Sequence, residues 1–321
     1  MRAEQIGIPE RIGVARAPQA LWHKRLALEE RLGLREGDES DFHHFAPKWR
    51  ARAAEWILKA GGLYRRGRRN ARAPRLRTEV FRFPQLPAHL EGTRILHLSD
   101  FHFSANDGVF TQACRTLLDG VQVDFCVLTG DYRYGHFGPQ TWVPDHLGPV
   151  LAGVTAPHGF FAVLGNHDIS DVVGGLESLG VAVLINTGLL AGGRERPLWL
   201  GGVDDPHKFR AASVADAFAG APGNGVFRLL LAHSPEVIAD AAQAGADLYL
   251  CGHTHGGQVR LPCIGAFEMN ARCPARYTRG RWTYGAMQGY TTDGLGTTDL
   301  PVRYNCPPEA VIIELHRGAD N

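Results

Sequence analysis

The chain is poor in everything that would anchor, export or staple it. No window of about 18 uncharged apolar residues occurs, which argues against an ordinary membrane-spanning helix. The N-terminal stretch carries charges where a secretory signal needs an apolar core. There are only 6 cysteines and no CxxC pair, so neither a disulfide framework nor a zinc ribbon is indicated. Cys263, Cys273 and Cys306 fit no common metal-ligand spacing, and Cys126 and Cys251 fall in apolar runs, where cysteine is ordinarily a small buried hydrophobe. A reducing cytoplasm is the expected setting. Net charge is also nearly absent, at +1.

That balance hides an asymmetry. Residues 1–80 hold 18 Lys+Arg against 10 Asp+Glu, a balance of +8, and the remainder holds 16 against 23, a balance of −7. With 44% hydrophobic and 21% charged residues, the chain is otherwise ordinary for a globular protein. Its length suits one two-sheet domain carrying an extension.

Five short polar blocks carry the chemical signal, and each follows an apolar, strand-like run. They are Asp100-Phe101-His102, Gly130-Asp131, Gly165-Asn166-His167-Asp168, His233, and Gly252-His253-Thr254-His255. If the runs lie side by side in one sheet, the blocks converge at one edge. Two aspartates, one asparagine and four imidazoles would then share a small volume. Oxygen and nitrogen donors of this kind suit borderline divalent metals, and there are more of them than one four-coordinate ion needs.

The order D-x-H, GD, GNHD, H, GHTH resembles the signature of the calcineurin-like metallophosphoesterase superfamily, over roughly Arg94 to His316. The one visible departure is Ser104, where the family often has glycine; no ligand is lost by it. The resemblance implies two divalent metal ions (Mn, Fe, Zn, Co or Ni). Asp100, His102, Asp131 and His255 would hold one ion, and Asp131, Asn166, His233 and His253 the other, with Asp131 bridging. It further implies in-line attack on phosphorus by a metal-bridging hydroxide, with His167 serving the leaving oxygen. Asp168 would orient His167, and Arg133 is a candidate phosphate contact. Asp204-Asp205 reads as a turn-forming, capping pair, with the cleft rim as the alternative.

Helical periodicity appears over Gln19 to Leu34, with Leu21, Leu28 and Leu32 on one face, and again from about Pro47 to Ala60, with Trp49, Ala53, Ile57 and Leu58 on its apolar side. An arginine run follows at Tyr64-Arg65-Arg66-Gly67-Arg68-Arg69. Residues 1–90 are therefore expected to form a helical, basic extension and residues 91–321 the catalytic domain. Beyond Arg94, strands alternate with helices, which predicts a layered α/β architecture. The resemblance sharpens this to a four-layer α-β-β-α sandwich.

The segment HTHGGQVRLP (253–262) and the tail from Gly294 to Glu309 resemble a bacterial subgroup of membrane-associated phosphodiesterases and UDP-2,3-diacylglucosamine hydrolases. That likeness implies hydrolysis of phosphodiester or pyrophosphate bonds in a small, lipid-linked or nucleotide-sugar substrate. A phosphomonoesterase, such as a protein phosphatase, uses the same ligands and stays open as the alternative; a non-catalytic scaffold would be expected to have lost some of them. The basic extension has three readings: peripheral contact with an anionic inner membrane, a clamp on the acidic domain or a second copy, or nucleic acid. The absence of a stacking-aromatic pattern argues against the last.

Overall fold

The computed structural model describes residues 17–36, 49–223, 225–266 and 269–319. In chain order the main strands are β1 (Arg75–Phe83), β2 (Thr93–Leu98), β3 (Phe125–Leu128), β4 (Phe160–Ala162), β5 (Val181–Val183), β6 (Thr187–Ala191), β7 (Leu198–Gly202), β8 (Arg228–Leu231), β9 (Leu248–Cys251), β10 (Gly280–Tyr284), β11 (Met287–Thr291) and β12 (Glu309–Arg317). The α-helices are α1 (Gln19–Arg31), α2 (Trp49–Ala60), α3 (Tyr64–Ala71), α4 (Gly108–Leu118), α5 (Val143–Leu151), α6 (Val172–Ser178), α7 (Val214–Phe218) and α8 (Ile238–Gln243).

Two six-stranded sheets form, in the orders β1-β12-β2-β3-β4-β5 and β10-β11-β9-β8-β7-β6. The alternation of side chains along a strand explains why they stack. Phe125 and Val127 of β3 face the same inter-sheet core as Leu229 and Leu231 of β8 and Leu248 and Leu250 of β9. Cys126 and Leu128 point the other way, against Cys114, Leu118, Leu147 and Leu176 of α4, α5 and α6. On the second sheet, Leu230, Tyr249 and Trp282 pack outward against Ala217 of α7 and Ala241 of α8. Each fully buried Leu or Phe contributes about 1.5–3 kcal/mol. The expected four-layer α-β-β-α sandwich is therefore present.

Strands β2, β3 and β4 run parallel in the first sheet, and β8 and β9 run parallel in the second. The carboxyl ends of parallel strands share an edge, so the blocks that follow them must gather there. One expectation needs correcting: the five runs do not occupy one sheet. Three belong to the first sheet and two to the second, and their loops meet at the mouth of the sandwich.

The N-terminal boundary also differs from the expectation of a helical extension up to residue 90. Residues 75–83 pair in parallel with β12 along their whole length, so the first sheet begins before Arg94. The alternation in β1 was masked because its first residues, including Arg75 and Arg77, are exposed.

The leucine face of helix α1 is half-buried, with Leu28 and Leu32 against Leu34, Phe137 and Phe209, but it is not the most buried side. The buried residues of the helix are Trp22, Arg25 and Glu29. Arg25 donates to Glu29 Oε1 at 2.9 Å, to the backbone oxygen of Asp168 at 2.5 Å and to Asp204, with its guanidinium over the Phe209 ring. Glu29 in turn accepts from the backbone N–H of Ser170 at 2.9 Å and from its hydroxyl at 2.6 Å. The charged stripe is buried because its partners sit on the facing domain. By contrast, Trp56 and Ile57 of α2 are 71% and 64% exposed. Among the described residues, no helix is long and apolar enough to cross a membrane.

Removing one member of a buried ion network leaves the others uncompensated. Arg25→Ala should therefore destabilise the fold by about 3–5 kcal/mol, read as a lower urea midpoint. A loss indistinguishable from that of an exposed arginine such as Arg31 would show that α1 is not latched in this way.

Candidate metal centre

The loops after β2 and β3 are zipped together by backbone hydrogen bonds: Asp100 N–H to Gly130 O at 2.9 Å and His102 N–H to Asp131 O at 3.1 Å. The loop after β9 joins them where the backbone N–H of His253 reaches both carboxylate oxygens of Asp100 at 3.1 Å. Five residues here take the left-handed backbone region without being glycine. They are Asp100 (φ 54°), His102 (47°), Asp131 (57°), His253 (71°) and His255 (51°). Such conformations are costly for side-chain-bearing residues and persist where the surroundings over-determine them. Each turns a side chain inward at the end of a strand.

All seven expected ligand side chains come together. Nε2 of His102 lies 3.0 Å from Nε2 of His255, 3.5 Å from Asp131 Oδ2 and 3.9 Å from Asp100 Oδ1. On the other side, Nε2 of His233 is 3.2 Å from Asp131 Oδ2, 2.9 Å from Asn166 Oδ1 and 3.2 Å from Nδ1 of His253. Asp131 thus lies between the two groups. Nδ1 of His102 points to the carbonyl of Arg133 at 3.1 Å, and Nδ1 of His233 to that of Thr129 at 2.7 Å. Carbonyls at those atoms fix a ring N–H there and turn each Nε2 to the centre.

The electrostatics fit a cation. Burial lowers His102 to about 4 and holds His253 and His255 well below their usual range, so these rings are neutral and their lone pairs available. Burial would raise Asp131, but His233 and His167 outweigh it and hold the carboxylate well below its ordinary value. His233 is the complement: burial lowers it, Asp131 and Asp100 overcome that, and it rises to about 10. Burial, together with the Asp131 charge, raises Asp100 to about 7. Neutral imidazoles and a buried carboxylate converging at such short separations form a donor set that divalent ions suit.

The geometry bears on three of the expected roles. Asp168 does not touch the His167 ring; it accepts backbone N–H groups from Asp131 (2.8 Å), Tyr132 (2.9 Å) and Gly165 (2.7 Å). Three donors already aimed at one carboxylate outcompete a single imidazole. The carbonyl of Gly135 holds Nδ1 of His167 instead, at 2.7 Å. Arg133, the candidate phosphate contact, is buried, with Nε and Nη1 engaged by backbone carbonyls. It is 1% exposed and donates to the carbonyls of Phe137 (2.6 Å), Gly138 (2.7 Å) and His167 (3.2 Å). Of the acidic pair, Asp205 caps a turn by accepting from the N–H groups of His207, Lys208 and Phe209, while Asp204 is the partner of Arg25.

Several neighbours were not anticipated. The His136 ring stacks on His167 at 3.8 Å, and Lys208 Nζ lies 3.3 Å from Nδ1 of His136. Burial, then Arg133, lowers Lys208 to about 8. Arg303 is fully buried, donates to the carbonyls of Asp293 and Gly296, and places Nη2 3.2 Å from Nδ1 of His255. His136 lies within the loop that begins at Gly130-Asp131 and runs on to α5, a position that could have flagged it. Arg303 lies far along the chain, with no local signal.

The family model for calcineurin-like phosphoesterases matches residues 93–257, just over half of the chain. The chain belongs to this family of metallophosphoesterases, as the order of its motifs suggested. Among individual relatives, it is 34% identical to phosphodiesterase YaeI of Escherichia coli over 69% of this chain and 82% of that protein. It is 29% identical to the metallophosphoesterase YkuE of Bacillus subtilis over 72% and 81%. A shorter match, 33% identical over 28% of this chain and 27% of the relative, is to the UDP-2,3-diacylglucosamine pyrophosphatase LpxG of Chlamydia trachomatis.

Gly165 has no room for a side chain: a Cβ there would overlap Asp131 Oδ1 and its backbone nitrogen. Gly165→Ala should therefore displace the central carboxylate and weaken Mn2+ binding at least about tenfold, measured by calorimetric titration. Unchanged affinity would show that Asp131 does not hold the ion.

Proposed function

We propose that the chain is a dinuclear metal-dependent hydrolase of phosphodiester or pyrophosphate bonds. The observation that carries this reading is the position of Asp131, 3.5 Å from Nε2 of His102 and 3.2 Å from Nε2 of His233. Asp100, His102, Asp131 and His255 would hold one ion, and Asp131, Asn166, His233 and His253 the other. The neutral amide of Asn166 supplies an oxygen without adding negative charge, so the pair stays electrophilic. When bound, two divalent ions supply the Lewis acidity that activates water and neutralises charge on the phosphoryl oxygens.

The protein's own residues position and protonate. The backbone N–H of His167 donates to Asp131 Oδ1 at 2.8 Å, and its carbonyl accepts from Gln140 at 2.9 Å, which immobilises the loop. With Nδ1 donated to Gly135, the ring presents Nε2 toward the centre, 3.9 Å from Asp131 Oδ2. Burial and then His136 lower the pKa of His167. An incoming phosphoryl anion opposes both effects, favours a proton on Nε2, and gives that proton a destination on the leaving oxygen. The diester preference is supported by the YaeI relative, whose name states that activity, and a pyrophosphate or lipid-linked substrate by the shorter match to LpxG.

Hydrolysis of bis(p-nitrophenyl) phosphate with Mn2+ tests the assignment. Asp131→Ala and His253→Ala should abolish turnover, and undiminished rates in either would discard the metal centre. His167→Ala should keep its metal content and lower kcat about 10²–10⁴-fold on a diester with a poor leaving group. Full activity there would remove its role.

A further inference from the structure

A cavity of about 450 Å³ opens beside His102, and its walls are not drawn from the candidate metal-binding loops alone. Tyr134, Ser104 and Gly296 form part of the lining, and Arg68 and Arg72 close it from the N-terminal segment. The edge of the candidate metal centre thus meets the basic extension in one space.

Helix α3 is held there firmly. A Cβ at Gly67 would sit 2.7 Å from both Tyr304 Cε2 and Val302 Cβ, so only glycine lets the arginine run lie this close. The carbonyl of Gly67 accepts from the backbone N–H of Arg303 at 3.1 Å, and the Asn70 amide donates to the Arg303 carbonyl at 3.0 Å. The Tyr304 hydroxyl donates to the carbonyl of Leu63. Arg303 is the same residue that reaches Nδ1 of His255. Four residues apart, Arg68 and Arg72 share one side of this turn.

Arg68 is half-buried and Arg72 exposed. Among the described residues, neither has a carboxylate within ion-pair distance. Glu55 of α2 pairs with Lys59 at 2.8 Å and feels the Arg68 charge only at longer range. Asp107 is the acidic group on the cavity wall. Two guanidiniums turned to a solvent-filled space beside a candidate metal ligand match an anion by charge and by their forked donors.

We infer that Arg68 and Arg72 form a second anion subsite, which selects substrates carrying a phosphate group in addition to the scissile one. The inference rests on the phosphoesterase reading for its place in turnover, but not for binding. The basic segment is on this account part of the substrate site.

Two chromogenic diesters with the same leaving group separate the possibilities. Thymidine 3′-phosphate 5′-(p-nitrophenyl phosphate) carries the second phosphate, and thymidine 5′-(p-nitrophenyl phosphate) lacks it. The full chain with Mn2+ should show a KM about tenfold or more lower for the first, and Arg68→Gln/Arg72→Gln should bring the ratio of the two KM values close to one. Equal KM values in the unsubstituted chain, or a ratio that survives the double substitution, would overturn the subsite. Calorimetric binding of thymidine 3′,5′-bisphosphate against thymidine 5′-phosphate gives the same comparison without turnover. If neither diester is cleaved but the bisphosphate preference is present and lost in the double variant, the subsite stands and the hydrolase reading fails. Arginine-dependent retention on phosphatidylglycerol vesicles, with no preference between the thymidine ligands, would overturn the subsite in favour of a lipid surface.

Discussion

One carboxylate, that of Asp131, organises the molecule's functional end. It lies between two clusters of imidazoles, and much of the surrounding geometry exists to keep it there. Gly165 leaves it room, the backbone N–H of His167 fixes one oxygen, and His233 answers its charge. Its own backbone sits at φ 57°. A buried anion in an apolar sandwich costs several kcal/mol unless partners are supplied. His233, raised to about 10, offsets that charge, while His102, His253 and His255 are neutral and only hydrogen-bond and orient. Divalent ions would displace the His233 proton and take over as the counter-charge to Asp131.

A second buried charge problem is solved differently. Arg25, Glu29 and Asp204 satisfy one another without an ion, and Arg25 also holds the carbonyl of Asp168. Asp168 in turn accepts the N–H groups of Asp131 and Tyr132. A helix from the N-terminal segment is therefore two hydrogen bonds away from the central carboxylate. The opposite charge balances of the two parts of the chain find at least part of their cause in this contact. It makes α1 a wall of the domain.

The same logic applies to α3. An arginine-rich helix is soluble and unremarkable alone, yet a single glycine within it permits close packing against residues 302–304. Its position is coupled through Arg303 to His255. The two helices approach the candidate centre from different directions, and each does so through a buried or half-buried arginine.

The five strands that lead into the polar blocks and the seven candidate ligands were legible because each rests on local information: an apolar run, then a short polar block, often with glycine where the chain must turn. The alternation of strands with helices beyond Arg94 was legible for the same reason. Illegible were the contacts that depend on a distant partner. The buried stripe of α1 reads as polar in sequence because Arg25 and Glu29 are compensated by Asp204 and Ser170, more than a hundred residues away. Strand β1 reads as an arginine-rich linker because half of it faces solvent. The sharing of the ligand loops between two sheets, the use of Asp168 and Arg133 as backbone clamps, and the insertion of Arg303 beside His255 could be decided only by packing. Sequence by itself determined which donors the protein owns and where the chain turns to present them. Tertiary structure decided which of those groups are consumed in holding the loops and which remain free to bind, because that choice depends on competition among neighbours brought together only by folding.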